Sequence, residues 1–142
     1  MDLAIAEAEA AGARGEVPVG AVIVLNGKVI SRAGNETRAL HDVTAHAEIL
    51  AIRRASQVLT QERLTEADLY VTLEPCTMCA GAISFARIRR LYIGAEDDKG
   101  GGVLNGARFF EQPTCHHKPE VYSGFQAERS AKILRDFFKT QR

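Results

Sequence analysis

The chain of 142 residues has no tryptophan, three cysteines, four prolines and no net charge. Three cysteines are too few, and odd in number, for a disulfide scaffold. Without tryptophan there is no Trp-Cys-Gly-Pro-Cys context, so the pair Cys76 and Cys79 lacks the usual setting of a thiol-redox motif. No Pro/Ser-rich stretch marks a linker, and no segment repeats another. No apolar run approaches the roughly 20 residues needed to cross a bilayer, so no membrane association is expected. The first residues carry Asp2 where a signal peptide wants lysine or arginine, which makes a reducing cytoplasm the expected compartment. Eighteen basic residues balance eighteen acidic ones, so no global field advertises a polyanion, and any such partner must meet a local basic patch. Thirteen of the cations are arginine, the residue better suited to forked phosphate contacts.

The remaining composition is that of a globular protein. Apolar residues make up 46% and charged residues 25%, which excludes disorder and low complexity. The length supports one domain, residues 1–142, with one core. The first dozen residues favour a helix that Gly12 and Gly15 end. Two β-branched runs flank Asn26-Gly27, a strong hairpin signal. Residues 44–57 read as a helix with Asp42 or Thr44 as cap, and 68–74 as a strand. Pro75 then opens a helix to about Ala86, 88–95 is a strand, 120–122 a short strand and 125–139 a final helix. Strands alternating with helices predict a three-layer α/β/α sandwich around a mixed sheet of five strands.

The chemistry concentrates in two short motifs. Cys76 and Cys79 are three apart at a helix start, where free N–H groups and the helix dipole favour thiolates. His46 sits at the start of another helix and offers a third ligand. A structural zinc site is closed by four protein ligands, whereas a catalytic one keeps a place for water. Zinc with such an open place lowers the pKa of its water to about 7. Glu48, two residues beyond His46, is rotated by about 200° on a regular helix and does not chelate the same ion. At a helix end it can instead take the water's proton and pass it to a substrate. Hydrolytic deamination of an sp² carbon needs that pairing, because one carboxylate can shuttle both protons.

Other readings compete at this level. A CxxC alone is compatible with redox chemistry, structural zinc or chance, and Cys115, His116 or His117 could close a structural site. Cys115 otherwise reads as an ordinary loop thiol, and His41, His116 and His117 as solvated. Asn35 reads equally well as a turn residue or as a contact to a base edge. Arg129, Lys132, Arg135, Lys139 and Arg142 fall within about 140° of the last helix, opposite Ile133, Leu134, Phe137 and Phe138. That face reads as a solvated amphipathic surface or a polyanion contact, as does the cluster Arg87, Arg89 and Arg90.

H-x-E followed by P-C-x-x-C is the known signature of the zinc-dependent nucleobase deaminases. The chain resembles that family, and within it the bacterial branch acting on tRNA adenosine. The matching stretches are EVPVGAVIV (16–24), GNETR (34–38), HDVTAHAEILAIR (41–53), LYVTLEPCTMCAGA (69–82) and DFF (136–138). The resemblance implies a cytidine-deaminase-like fold, with one Zn²⁺ per subunit held by His46, Cys76 and Cys79 and with Glu48 as proton shuttle. It implies a base held by Asn35 and by the backbone N–H of Ala47. Asp97 and Lys99 fall where the family contacts the anticodon loop, and Phe138 matches an aromatic that the family places near the substrate. The implied partners are a tRNA anticodon stem-loop and a second copy of the chain, each copy helping to build the RNA groove. The implied reaction is hydrolysis of the wobble adenosine to inosine, with release of ammonia. The chain departs from other members at Glu36-Thr37-Arg38 and in the 111–119 loop. The nearest alternative is a deaminase of guanine, cytosine or deoxycytidylate; a non-catalytic zinc-stabilised RNA-binding module would leave Glu48 without a use.

Overall fold

The computed structural model describes residues 1–141. Arg142, counted above with the basic face of the last helix, lies outside the described residues. Helix α1, Asp2–Ala13, buries Ala4, Ile5, Ala8 and Ala11 along one stripe. It presses on strand β1, Gly20–Leu25, so closely that a Cβ on Gly20 would overlap the Ala4 carbonyl oxygen. Strand β2, Lys28–Gly34, returns antiparallel to β1. The turn between them holds Asn26 at φ 51° and Gly27 at φ 77°, the double positive that a two-residue hairpin requires.

Helix α2, Ala47–Leu59, starts later than the sequence suggests. The Asp42 carboxylate accepts the Thr44 N–H at 2.8 Å and the Thr44 hydroxyl at 2.7 Å. Asp42 therefore closes a local turn instead of capping the helix, and His46 takes the N-cap position. Strand β3, Ala67–Leu73, pairs antiparallel with β1 and parallel with β4, Arg90–Ala95. Helix α3, Thr77–Ala86, connects them, with Cys76 as its N-cap and Pro75 one residue outside it. Strand β5, Glu120–Tyr122, adds parallel to β4, and helix α4, Ala127–Thr140, ends the described chain.

The mixed sheet has the order β2-β1-β3-β4-β5. Helices α1 and α4 cover one face, α2 and α3 the other, which is the three-layer arrangement expected. Strand alternation sends Ala21, Ile23, Leu69, Val71, Leu91 and Ile93 into the core shared with α2 and α3. At about 25 cal/mol per Å² of apolar surface, each larger aliphatic side chain there contributes roughly 1.5–3 kcal/mol. Helix α4 is covered less well, since Ser130 is its only buried residue while Ile133, Leu134 and Phe137 are half-buried. Among the described residues no helix is long and apolar enough to cross a membrane.

Candidate active site and metal centre

The parallel strands β3 and β4 end side by side at Leu73 and Ala95. Ligand crevices in open α/β sheets form outside such carboxyl ends. Glu74-Pro75-Cys76 follows the first strand end and Glu96-Asp97 the second. The N-terminus of α2 reaches the same place because Ser31 of β2 donates a 2.7 Å hydrogen bond to the Ala51 carbonyl and holds the helix on the sheet.

His46 and Cys76 are both helix N-caps with extended backbone, at φ −71°, ψ 154° and φ −70°, ψ 173°. An N-cap side chain ordinarily accepts an N–H of its own helix, but neither of these does so. They turn towards one another instead. Nδ1 of His46 lies 3.7 Å from Sγ of Cys76 and 3.5 Å from Sγ of Cys79. Tetrahedral zinc with bonds of about 2.0–2.1 Å to nitrogen and about 2.3 Å to sulfur separates an N,S ligand pair by about 3.6 Å. The three donor atoms lie within 4.8 Å of one another and form the one metal-competent group among the described residues. The fit is that of zinc with three protein ligands. Cys115 does not close the set, because its thiol donates to the His117 carbonyl at 3.1 Å. His117 is half-buried, with Nε2 2.9 Å from the Ile88 carbonyl oxygen, so it is not the solvated side chain expected. His41 and His116 are exposed, as anticipated.

Electrostatics at the cluster follow from this crowding. Hydrogen bonds from Cys79 and His46 lower the Cys76 thiol to about 4. The shared proton, together with burial, pushes Cys79 up. His46 is raised, chiefly by its bond to Cys76. Glu48, in the first turn of α2, is 3% exposed. In the metal-free protein burial raises its carboxyl to about 7, so that both protonation states are populated there at neutral pH. A carboxyl poised in this way suits a group that must both accept and return a proton.

Glu48 lines a cavity of about 300 Å³ together with Asn35, His46, Cys76 and Asp97. Asn35 is buried, and its Oδ1 accepts the Ala47 N–H at 2.8 Å. The side chain thus bridges the end of β2 and the start of α2 and is more than a turn residue. Val17, Leu73 and Asp97 are shared with a neighbouring groove of about 720 Å³, lined further by Lys99, Arg135 and Phe138. Phe138 is 46% exposed there and packs edge-on to Phe137. One carboxylate oxygen of Asp97 is spent on the N–H groups of Lys99 and Gly100, at 3.1 and 2.9 Å.

The basic clusters are mostly neutralised within the chain. Arg89 makes a two-pronged bond to Asp68, and Arg90 pairs with Glu120. On α4, Arg129 pairs with Asp2 and Glu9, Lys132 with Asp136 and Arg135 with Glu128. Lys99 and Lys139 make no ion pair among the described residues.

Two buried carboxylates beside the site escape a reading of the sequence. Glu16, 2% exposed, accepts the N–H groups of Arg38 and Ala39 at 3.1 and 2.9 Å. Glu74, also 2% exposed, accepts from the loop after β4. Burial alone would raise both, but the donated hydrogen bonds outweigh it and hold both below the ordinary carboxylate value. The one available signal is a lone glutamate in a mostly apolar stretch, which is weak.

Comparison with known proteins agrees with the geometry. A family model described as MafB19-like deaminase matches residues 1–142. The tRNA-specific adenosine deaminase of Agrobacterium fabrum is 68% identical over 142 residues, covering 100% of this chain and 93% of the relative. That of Rickettsia bellii is 47% identical over 141 residues, covering 98% of this chain and 97% of the relative. A solved structure from work on A-to-I editing by tRNA:A34 deaminases at the wobble position superposes with a TM-score of 0.94 at 69% identity, covering 94% of this chain and 97% of that one. A guanine deaminase from Nitrosomonas europaea shares the fold, with a TM-score of 0.81 at 21% identity over 94% of this chain and 80% of that one. A match across the whole length, around a cluster of one histidine and two cysteines beside a buried glutamate, places the chain in the MafB19-like deaminase family.

Proposed function

We propose that the protein hydrolyses the wobble adenosine of a tRNA to inosine and ammonia. The observation that carries this reading is the buried Glu48 beside three side chains that could hold a metal, in a cavity that shares Val17, Leu73 and Asp97 with a longer groove. The close relatives named tRNA-specific adenosine deaminase support it.

His46 Nδ1 and the sulfurs of Cys76 and Cys79 would hold a zinc ion, which when bound activates water as the nucleophile for the purine C6. Glu48 takes up the two protons of the attacking water in turn, passing one to the ring nitrogen and one to the amine, so that a C6–O bond forms, the C6–N bond breaks, and the products are a carbonyl at C6 and ammonia. Asn35 orients the base. Its amide nitrogen remains available while its oxygen holds the Ala47 N–H, and a base edge that takes up that N–H frees the Asn35 oxygen. The groove beyond receives the neighbouring nucleotides, with Phe138 as a stacking surface and Lys99 beside it, while Asp97 shapes the rim. A loop base is the suitable target because flipping it out costs least there.

We extend the reading to a cytoplasmic homodimer. The exposed apolar side chains of Phe85 (77%) and Met78 (39%) on α3, next to the cysteine ligands, support a covered face. The deciding experiment incubates the protein with an anticodon stem-loop carrying wobble adenosine and, in parallel, with free adenosine, cytidine and guanine. Inosine in the RNA alone is expected. Ammonia from a free base would transfer the site to nucleobase metabolism, and no product anywhere would leave a binding module.

A further inference from the structure

Glu74 occupies an unusual position. It immediately follows β3 and precedes Pro75-Cys76, yet its side chain serves a loop more than twenty residues away. Oε1 accepts the Asp97 N–H at 3.0 Å and the Asn105 side-chain amide at 2.8 Å. Oε2 accepts the backbone N–H groups of Val103, Leu104 and Asn105 at 3.2, 2.9 and 3.0 Å. Five donors converge on one carboxylate that solvent barely reaches. The backbone beside it joins in, because the Pro75 carbonyl accepts the Gly102 N–H at 2.8 Å. Gly101 has no side chain for a spatial reason: a Cβ there would overlap the Glu74 carboxylate. The loop of residues 97–105 is therefore folded around Glu74, and the half-buried Asp97 carboxylate adds only the short turn at Lys99 and Gly100.

That loop carries Asp97, Lys99 and Gly100, which wall the metal cavity and the groove beside it. Glu74 thus joins a segment bearing one metal ligand to the segment that shapes the substrate cleft. We infer that Glu74 is a positioning residue for substrate: it holds the 97–105 loop in the shape that receives the nucleotides flanking the reacting base. This rests on the function proposed above. Glu74 contributes to the wall of the metal-side cavity, but both of its oxygens are taken up by donors of the 97–105 loop, so its effect falls on binding of the RNA and not on proton transfer. Only a carboxylate meets the requirement. In Glu74→Gln an amide nitrogen would face N–H donors whichever way it turned, leaving buried donors unmatched.

The test compares wild type, Glu74→Gln and Asn105→Ala, each zinc-loaded, on the wobble-adenosine stem-loop. Metal content, single-turnover rate and hydrogen exchange of residues 97–105 are measured in parallel. Glu74→Gln should raise KM for the RNA about tenfold or more while kcat changes less than about threefold and metal stays at one per chain. The amides of Val103, Leu104 and Asn105 should exchange faster. Asn105→Ala keeps the backbone bonds and should shift KM and exchange in the same direction by a smaller factor. A merely structural role would lower the active fraction and kcat at constant KM, and that result overturns the inference. Unchanged exchange in the loop overturns it as well. If Glu74→Gln yields no folded protein, Asn105→Ala carries the test, and wild-type KM and exchange in that variant refute the inference. If wild type itself leaves the RNA unchanged, the proposed function falls, and the exchange measurement alone decides whether Glu74 holds the loop.

Discussion

Replacing Glu48 by glutamine keeps its volume and removes its proton chemistry. Two consequences follow from its surroundings, and they have opposite signs. A positioned general acid or base contributes about 10²–10⁴-fold in rate, equivalent to roughly 3–5 kcal/mol of barrier. With Glu48 handling protons at more than one step, as proposed, Glu48→Gln should lose at least the upper part of that range in single-turnover inosine formation. Metal content should not change, since Glu48 lies outside the cluster of His46 and the two cysteines. Stability should move the other way in metal-free protein. Burial raises the Glu48 carboxyl from 4.5 to about 7, so the folded state resists ionisation while the unfolded chain does not. Stability is therefore lost as pH rises through that window, up to about 3 kcal/mol at about pH 8. A glutamine has no charge to bury. Urea unfolding of chelated protein should find Glu48→Gln more stable than wild type at about pH 8 and within about 1 kcal/mol of it at about pH 5. Turnover within tenfold of wild type would refute the shuttle, and a wild type more stable than the variant at high pH would refute the account of burial.

Cys79→Ala should reduce bound zinc from about one per chain to below about a tenth, read by elemental analysis, and lower the melting temperature of the loaded protein, because metal binding couples to folding. Glu16→Gln should cost about 1–3 kcal/mol near neutral pH, measured by urea unfolding, since buried N–H groups of Arg38 and Ala39 lose a charged acceptor. The Glu16 carboxyl is lowered in the fold, so its contribution is complete above the ordinary value of 4.5 and fades as pH falls below it; the variant should lack that part of the acid dependence. Asn35→Ala should leave the buried Ala47 N–H without a partner, costing about 1–3 kcal/mol in stability, and raise KM for the stem-loop by tenfold or more.

The fold was largely readable because its signals are local. Asn26-Gly27 marks a turn whose two positive φ values the structure shows, and strand alternation at Leu69, Val71, Leu91 and Ile93 marks the inner face. The convergence of His46, Cys76 and Cys79, which could hold a metal, was readable because CxxC places both sulfurs at one helix start, and H-x-E stands at another. Helix starts were less readable. Asp42 has the chemistry of a cap but spends it on Thr44. The hydrogen-bond partners of Asn35, Glu16 and Glu74 were hidden for a single reason: they lie twelve to thirty-one positions away, and a hydrogen bond across such a separation leaves no periodicity in the chain. The ion pairs of the basic faces were equally hidden: Arg89, Arg90 and Arg129 meet acidic partners far off in the chain, and Arg135 meets Glu128 two turns back on its own helix.

His46 and Cys76 stand at fixed points of the backbone, one residue ahead of two helices seated on the sheet. Their spacing is set by the scaffold, and the nearby loops are fastened to it by bonds such as that from Gly102 to Pro75. Helix α4, which makes no such bond to the cluster among the described residues, can therefore be rewritten to admit a different molecule without disturbing the apparatus that breaks the bond. A lineage built on this plan could change its diet while keeping its teeth.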